Sequence, residues 1–361
     1  MIEKAIEFIK KCNEKTAIIY DIDGDGISSA ALIAKTINRI FYYMPYAFPM
    51  RYNFFSNNKI YNNVIKKKIK NIIILDIAVD EEPVYVLKIA KKAKVLVLDH
   101  HQVHKDLNKF NILHVNPYFW DKENSSKYCV SKLAFDICNK IVNIEDLAWL
   151  AGLGIINDYC GSYWKKFLNK VYEKYPILKQ GKELYSFNSK LGLINHMITN
   201  SYHYAGINGV KISYEACLEA NSPLDILDAK TAKAKALKYF YDKVQSEINE
   251  IVKNWKKYAE IHNGVIFLEL KTKFALQSPI STIIGLKHKN RTVIVFRKIG
   301  KHYHVSIRRE DGKVNCSELA KLATKNLKDA SGGGHIPAAG CRILAKDLSK
   351  FKENVLEYLE T

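Results

Sequence analysis

Seven ionisable residues stand directly after three short apolar runs. They are Asp21, Asp23 and Asp25 in IIYDIDGDG, Asp76 in IIILDIAVD, and Asp99, His100 and His101 in VLVLDHH. Singly, each has an ordinary explanation. A D-x-D-G is a common turn, a strand ending in Asp often caps the next helix, and a His-His pair is commonly a surface feature. Jointly they point to one chemistry. Several carboxylates gathered in one place repel one another, and some must stay protonated at neutral pH unless cations neutralise them. Carboxylates with a minority of imidazole form a hard, oxygen-rich set, which suits Mn²⁺ or Mg²⁺ better than a thiolate-rich zinc site would. Asp23 and Asp25 lie two apart on an irregular, glycine-containing loop. That spacing can serve two different ions, with Asp76 shared between them.

For these residues to meet, the runs that precede them must be neighbouring strands. Thr16–Tyr20, Ile72–Leu75 and Val95–Leu98 are continuous apolar runs of strand length, as expected for a parallel sheet covered on both faces. Helix-like stretches at Ser28–Ile40 and Glu82–Ala93 lie between them. Strand–helix alternation predicts a doubly wound α/β domain, whose ligands bind beyond the carboxyl ends of the strands. A helix is expected over Asp146–Ile156, mixed helical structure from Trp164 to Leu224, and a long charged helix over Asp225–Lys257 as a bridge. Val265–Leu270, Thr292–Phe296 and Tyr303–Ile307 then predict a second, smaller sheet domain closed by an amphipathic helix, Leu348–Leu359. The expected division is 1–224, a connecting helix over 225–259, and 260–361. The aromatic stretch from Arg39 to Phe55 reads as a core strand and flanking loop rather than as a surface for stacking bases.

Composition narrows the function. At 361 residues and 48% hydrophobic, the chain has material for two cores. The net charge of +19 suits a polyanionic partner such as nucleic acid, although a Lys-, Ile-, Asn- and Tyr-rich chain also reflects base composition or a hot habitat. No apolar run is long enough to span a bilayer, and MIEKAIEFIKKCNEK lacks the apolar centre of a signal peptide. The expectation is a cytoplasmic protein without a membrane partner. The seven scattered cysteines, with no C-x-x-C, read as reduced structural thiols.

The same residues carry a resemblance to the DHH phosphoesterase superfamily, which includes the RecJ nucleases, oligonucleotide-degrading enzymes and family II inorganic pyrophosphatases. DIDGDG at Asp21–Gly26 matches the first motif, Asp76 the second, and Asp99-His100-His101 the third. The fourth, an isolated aspartate after a helix, is best matched by Asp158 in IINDYCG. The C-terminal region resembles the DHH-associated domain through SGGGHIPAAG at Ser331–Gly340, preceded by VSIRRE and VNCSELA. The resemblance covers most of the chain and points to the archaeal RecJ type. It implies one metal on Asp23 and Asp76, with Asp21 as a further ligand. It implies a second on Asp25, Asp76, His100 and Asp158. Asp99 would orient a neighbouring imidazole, and His101 would contact substrate phosphate or bound water.

The resemblance therefore implies a two-metal phosphodiesterase, Mn²⁺ preferred and Mg²⁺ usable, acting as an exonuclease on single-stranded DNA or RNA. Two ions roughly 3.5–4 Å apart clamp the attacking and leaving oxygens of such a displacement. Arg308, Gly332, Gly333, Gly334 and His335 are the expected phosphate grip of the second domain, facing the metal edge across a cleft. Arg309 and Lys271 are weaker candidates. Alternatives are a hydrolase of short oligonucleotides or small (cyclic) nucleotides, a pyrophosphatase, and an inactive replication scaffold. Bacterial RecJ proteins usually continue into an OB-fold, whereas this chain ends soon after Gly340, which keeps the small-substrate alternative in view. The pyrophosphatase is disfavoured by the C-terminal signature and the scaffold by the complete motif set. A replication or repair protein is a further expected partner.

Overall fold

The three apolar runs fold as adjacent parallel strands in a computed structural model that describes residues 1–50 and 59–360. The strands of this first sheet are β1 (Thr16–Tyr20), β2 (Tyr46–Pro49), β3 (Asn71–Leu75), β4 (Lys94–Leu98) and β5 (Leu113–Val115). Their order is β2-β1-β3-β4-β5, parallel throughout. Alternate residues enter two different cores. Ile18, Tyr20, Ile73, Leu75, Leu96 and Leu98 pack on one face, and Ala17, Ile19, Ile72, Ile74, Val95 and Val97 on the other. Both faces are dry, so the runs are apolar throughout instead of alternating.

Helices cover both faces. In chain order they are α1 (Ile2–Lys10), α2 (Gly24–Phe41), α3 (Lys59–Lys66), α4 (Val84–Ala90), α5 (Val130–Asn139), α6 (Ala148–Asn157), α7 (Lys165–Lys174), α8 (Lys190–Ala205) and α9 (Ile207–Glu219). Helix α6, AWLAGLGIIN, is buried from Ala148 to Ile156, which is the environment an all-round apolar helix requires. Helix α2 begins four residues earlier than Ser28. The Asp23 side chain caps it by accepting from the backbone N–H groups of Asp25 and Gly26. Asp25 is therefore in a first helical turn and not on a loop.

The expected bridge over Asp225–Lys257 is two helices. Pro223, at the first position of α10 (Pro223–Leu227), suits a helix start, and Ser222 and Asp225 form a capping box around it. Ala229 then takes a left-handed conformation (φ 53°) before α11 (Ala232–Asn254). The chain divides inside α11 into two compact units, Met1–Tyr241 and Asp242–Thr361. The aromatic stretch also departs from expectation. Tyr46–Pro49 is the edge strand β2, half-buried at best, because it has a neighbour on one side only; Arg51 to Phe55 lie outside the described residues.

The second unit holds a mixed sheet of β6 (Ala259–His262), β7 (Val265–Glu269), β8 (Thr292–Ile299), β9 (His302–Arg308), β10 (Ser331–Gly334) and β11 (Ala338–Leu344). The order is β10-β11-β9-β8-β7-β6, and β7–β8 is its parallel pair, connected through α12 (Gln277–Lys287). Helices α13 (Cys316–Ala323) and α14 (Leu348–Glu360) share the core with the strands. The glycine run is thus an edge strand. Among the described residues no helix is long and apolar enough to cross a membrane. All seven cysteines are free and buried.

Gly26 shows how tightly the β1–α2 connection is drawn. A methyl group there would lie 2.5 Å from the Asp21 carbonyl oxygen and 2.8 Å from its carbonyl carbon, both backbone. Gly26→Ala is expected to lower the urea midpoint by the equivalent of about 1–3 kcal/mol. Gly333→Ala, which meets nothing within 4 Å, is expected to stay within about 0.5 kcal/mol of wild type.

Candidate metal centre

Each acidic residue is delivered by a different structural device. Asp21 extends β1, its N–H donating to the Leu75 carbonyl at 3.2 Å. Asp23 is held in place by its own capping bonds, both 3.0 Å. Asp25 is fully buried and seated on the start of α5. Its two oxygens accept from the N–H groups of Val130 (2.6 Å) and Ser131 (2.8 Å). Those amides are donors that a helix start leaves without a helical partner, and the helix dipole favours an anion there. This seat explains a glycine inside α6: a Cβ on Gly154 would stand 2.1 Å from Asp25 Oδ1 and 1.9 Å from Ser131 Oγ.

Asp76 follows β3 in a left-handed conformation (φ 62°) and is 4% exposed. A non-glycine residue held there stores strain, a common feature of functional sites. Its Oδ1 lies 3.3 Å from His100 Nε2, which in turn lies 3.5 Å from Asp158 Oδ2. Asp158 sits at the C-terminal end of α6. Three groups of ligand atoms lie within 4.8 Å of one another: Asp21–Asp23–Asp76, Asp76–His100–His101 and Asp25–Cys129–Asp158. Asp76 belongs to two of them. The residues singled out at the three strand ends, together with Asp158, therefore meet at one sheet edge.

The electrostatics of this edge are unfavourable without a counter-charge. Burial pushes the Asp76 carboxyl well above the usual carboxylate range, and the charges of Asp23, Asp25, Asp158 and Asp21 push it further. Burial followed by Asp25 and Asp23 does the same to Asp158. Burial also raises Asp25, against the lowering pull of His100 and its bonds to Ser131. Asp76 Oδ1, Asp158 Oδ2 and His100 Nδ1 are buried without a hydrogen-bond partner. Clustered oxygens with open lone pairs and one or two imidazoles fit hard divalent cations. Asp99 behaves oppositely. Burial would raise it, but the contact with His101 (Oδ1 to Nδ1, 2.7 Å) wins and holds it at about 2. Burial works against protonation of His101, and Asp99 overrides it to about 9. The His101 side chain is 46% exposed, so the ion pair and not burial governs it.

Three further residues act here that strand-end reasoning did not single out. Asn157 joins the two halves of the site: Nδ2 donates to Asp23 Oδ2 (2.8 Å) and Asp158 Oδ1 (3.0 Å), while Oδ1 accepts from the Gly24 N–H (3.2 Å). Its only signal in sequence is adjacency to Asp158. Asn195, on α8, donates to Asn157 Oδ1 at 3.3 Å, and nothing local in the sequence marks it. Cys129, read as a structural thiol, faces Asp25 and Asp158.

In the second unit, Arg308 ends β9 beside Ala338, and Gly334 pairs with Ala339 across the hairpin. His335 and Ala338 exchange backbone bonds of 2.7 and 3.2 Å, closing that hairpin. Antiparallel alternation then turns the N–H groups of Gly332 and Gly334 away from β11. Arg308 has a buried Nε without a partner and a 3.5 Å contact to Glu310. Arg309 is engaged by a two-pronged bond to Asp311 (2.7 and 3.0 Å). Lys271 is exposed. Arg308, Gly334 and His335 thus lie at one end of this sheet, whereas Arg309 is taken up by Asp311.

A family profile described as the DHH family, N-terminal domain, matches residues 15–155, and one described as the DHHA1 domain matches residues 273–361. Among solved structures the chain is similar to RecJ from Thermus thermophilus in complex with Mn²⁺, with a TM-score of 0.73 and 14% identity, covering 99% of this chain and 54% of that one. It is similar to an exonuclease RecJ bound to manganese, with a TM-score of 0.71 and 15% identity, covering 99% and 94%. PggH, a pGpG-specific phosphodiesterase from Vibrio cholerae, gives 0.50 and 14%, covering 96% and 98%. At these identities the likeness is one of fold. No curated protein sequence matches the chain.

Raised carboxyl pKa values have a stability signature. The folded state then binds more protons than the unfolded chain above about pH 4, so metal-free stability falls as pH rises through neutrality. A thermal melt in EDTA is expected to drop between pH 5 and pH 8, and Mn²⁺ to raise it more at pH 8, where fewer protons compete. Asp76→Asn is expected to raise the metal-free melting temperature at pH 8 by at least roughly 2–4 °C and to shrink the Mn²⁺ increment. A metal-free melt that rises over the same range contradicts this account.

Proposed function

The chain belongs to the DHH family, carrying its N-terminal domain and the DHHA1 domain, and on that premise we propose a metal-dependent phosphodiesterase that trims single-stranded DNA or RNA from an end, as RecJ does. The observation that carries this reading is the meeting of Asp21, Asp23, Asp25, Asp76, His100 and Asp158 at one sheet edge, with buried oxygens lacking partners. We assign Asp21, Asp23 and Asp76 to one divalent cation and Asp25, Asp76, His100 and Asp158 to another, Mn²⁺ by preference or Mg²⁺. Such ions, when bound, supply Lewis-acid charge to a phosphate and lower the pKa of coordinated water.

The protein's own groups do the remainder. Asp99 fixes the His101 ring through Nδ1, leaving Nε2 to donate a hydrogen bond to a phosphate oxygen or a proton to the leaving alkoxide. Asn157 keeps the Asp23 and Asp158 carboxylates in register. Arg308 presents a forked cation to a phosphate, with the Gly332, Gly333 and Gly334 backbone and His335 as further donors. The charge of +19 favours a long polyanion over a small one, and free buried cysteines suit a reducing cytoplasm. A replication or repair protein is the class of protein partner that fits such an enzyme.

One observation favours a second reading. PggH matches over nearly its full length, so the two-domain architecture suffices for a dinucleotide substrate. Hydrolysis of short oligonucleotides or small (cyclic) nucleotides is therefore the alternative. An inert scaffold would have no need to keep five repelling carboxylates together.

End-labelled DNA and RNA strands of graded length, given with Mn²⁺, separate these readings. Processive shortening of long strands is expected, and cleavage confined to dinucleotides transfers the assignment to the second reading. Asp76→Ala is expected to cost about 10²–10³ or more in kcat. Arg308→Ala is expected to raise KM about tenfold or more with kcat largely kept, the size of one lost charged hydrogen bond.

A further inference from the structure

The edge that gathers the carboxylates also carries exposed rings that the phosphate chemistry leaves unused. Tyr159 directly follows Asp158, has a left-handed backbone (φ 57°) and is 81% exposed. Its ring rests against Phe187, 5.0 Å between centroids. Tyr163, four residues on in the next turn, is 44% exposed, and the N–H groups of Tyr163 and Trp164 both donate to the Cys160 carbonyl (3.0 and 3.2 Å). Trp164 backs Tyr163 edge-on at 5.3 Å between ring centroids and meets Tyr128 in the same way at 5.6 Å.

This wall is tied to the metal centre at both ends. Tyr128 precedes Cys129, at the start of α5, whose first amides hold Asp25. Cys160 Sγ lies 3.8 Å from the carbonyl of Tyr128 and 3.2 Å from that of Asp158, and Trp164 Nε1 donates to the Lys127 carbonyl at 2.9 Å. The rings therefore stand within a few residues of two proposed ligands. Cations are interleaved with them. Lys127 lies 5.5 Å from the Tyr163 centroid and Lys122 lies 5.0 Å from that of Tyr118, and Lys165 and Lys166 follow Trp164, exposed. Exposed aromatic faces beside lysines match a ligand with flat apolar groups on an anionic backbone.

We propose that Tyr159 and Tyr163 form a stacking platform for the bases of a single-stranded nucleic acid, backed by Trp164 and Tyr128, with Lys122 and Lys127 facing its phosphates. The proposal rests on the phosphodiesterase reading and deepens it: the enzyme selects strands that carry bases over base-free phosphodiesters, with little preference among bases, because each base has a π-face.

The test is binding by the full-length protein, with Ca²⁺ in place of Mn²⁺, of two fluorescein-labelled strands of about twelve nucleotides. One is oligothymidylate and the other an abasic deoxyribose-phosphate strand of the same length. Wild type is expected to bind the base-bearing strand about tenfold or more tightly, at 1.4 kcal/mol per tenfold and about 1–3 kcal/mol per stacked base. Tyr159→Ala/Tyr163→Ala is expected to lose that preference while keeping its affinity for the abasic strand. Tyr159→Phe/Tyr163→Phe is expected to retain it. Both pairs change exposed positions, and an unchanged thermal melt establishes that they fold. The proposal is overturned if wild type binds neither strand, binds both equally, or keeps its preference in the alanine pair; equal binding would assign the rings to a protein partner. Mn²⁺-dependent hydrolysis of bis(p-nitrophenyl) phosphate, which has no base, is measured alongside. Its absence in wild type sinks the phosphodiesterase reading without touching the binding result.

Discussion

Repulsion among buried carboxylates is the constraint around which the first unit is built. Asp25, Asp76 and Asp158 are each pushed upward, chiefly by burial; the charges of Asp23 and Asp25 add to this at Asp76 and Asp158, and that of Asp23 at Asp25, where His100 pulls the other way. A chain selected for stability alone would separate them. Instead, the fold invests a helix start in Asp25, a left-handed backbone in Asp76, an asparagine clamp in Asp23 and Asp158, and a glycine in α6 that no side chain could replace. Each device holds a carboxylate where its neighbours disfavour it. Such an arrangement is a liability on its own and has the chemistry of a site for divalent cations.

Much of this was legible in sequence, for a physical reason. A parallel strand buried on both faces must be apolar throughout, so β1, β3 and β4 were visible as runs, and the residues just beyond them were necessarily at one edge. Short edge strands leave no such mark: β2 is half-buried and β5 has three residues. The start of α2 was misplaced because Gly24 and Gly26 read as loop. Their lack of side chains serves close packing against Asn195 and the Asp21 backbone, a tertiary cause that local pattern does not carry. The break before α11 was likewise hidden in an Ala- and Lys-rich stretch, because the left-handed residue that makes it is Ala229 and not a glycine. Asn195 was beyond reach for the same reason as most clamps: it lies 38 residues from Asn157.

The aromatic residues teach a similar lesson. The stretch richest in rings and arginines, Arg39 to Phe55, drew the eye, yet its described strand lies on a sheet edge. Tyr159 and Tyr163 are unremarkable in sequence and become informative only through exposure and through their attachment to Asp158 and α5. In the second unit, the glycine run gains meaning from being an edge strand, which turns amides outward beside Arg308.

The central claim is that cations neutralise these acidic side chains. Anomalous diffraction from crystals of the full-length protein grown with saturating Mn²⁺ tests it most directly. The account predicts two manganese peaks at the edge beyond β1, β3 and β4, with Asp76 contacting both. Full-occupancy protein density with no peak there, and the Asp25, Asp76 and Asp158 carboxyls protonated and bonded to one another, would contradict it.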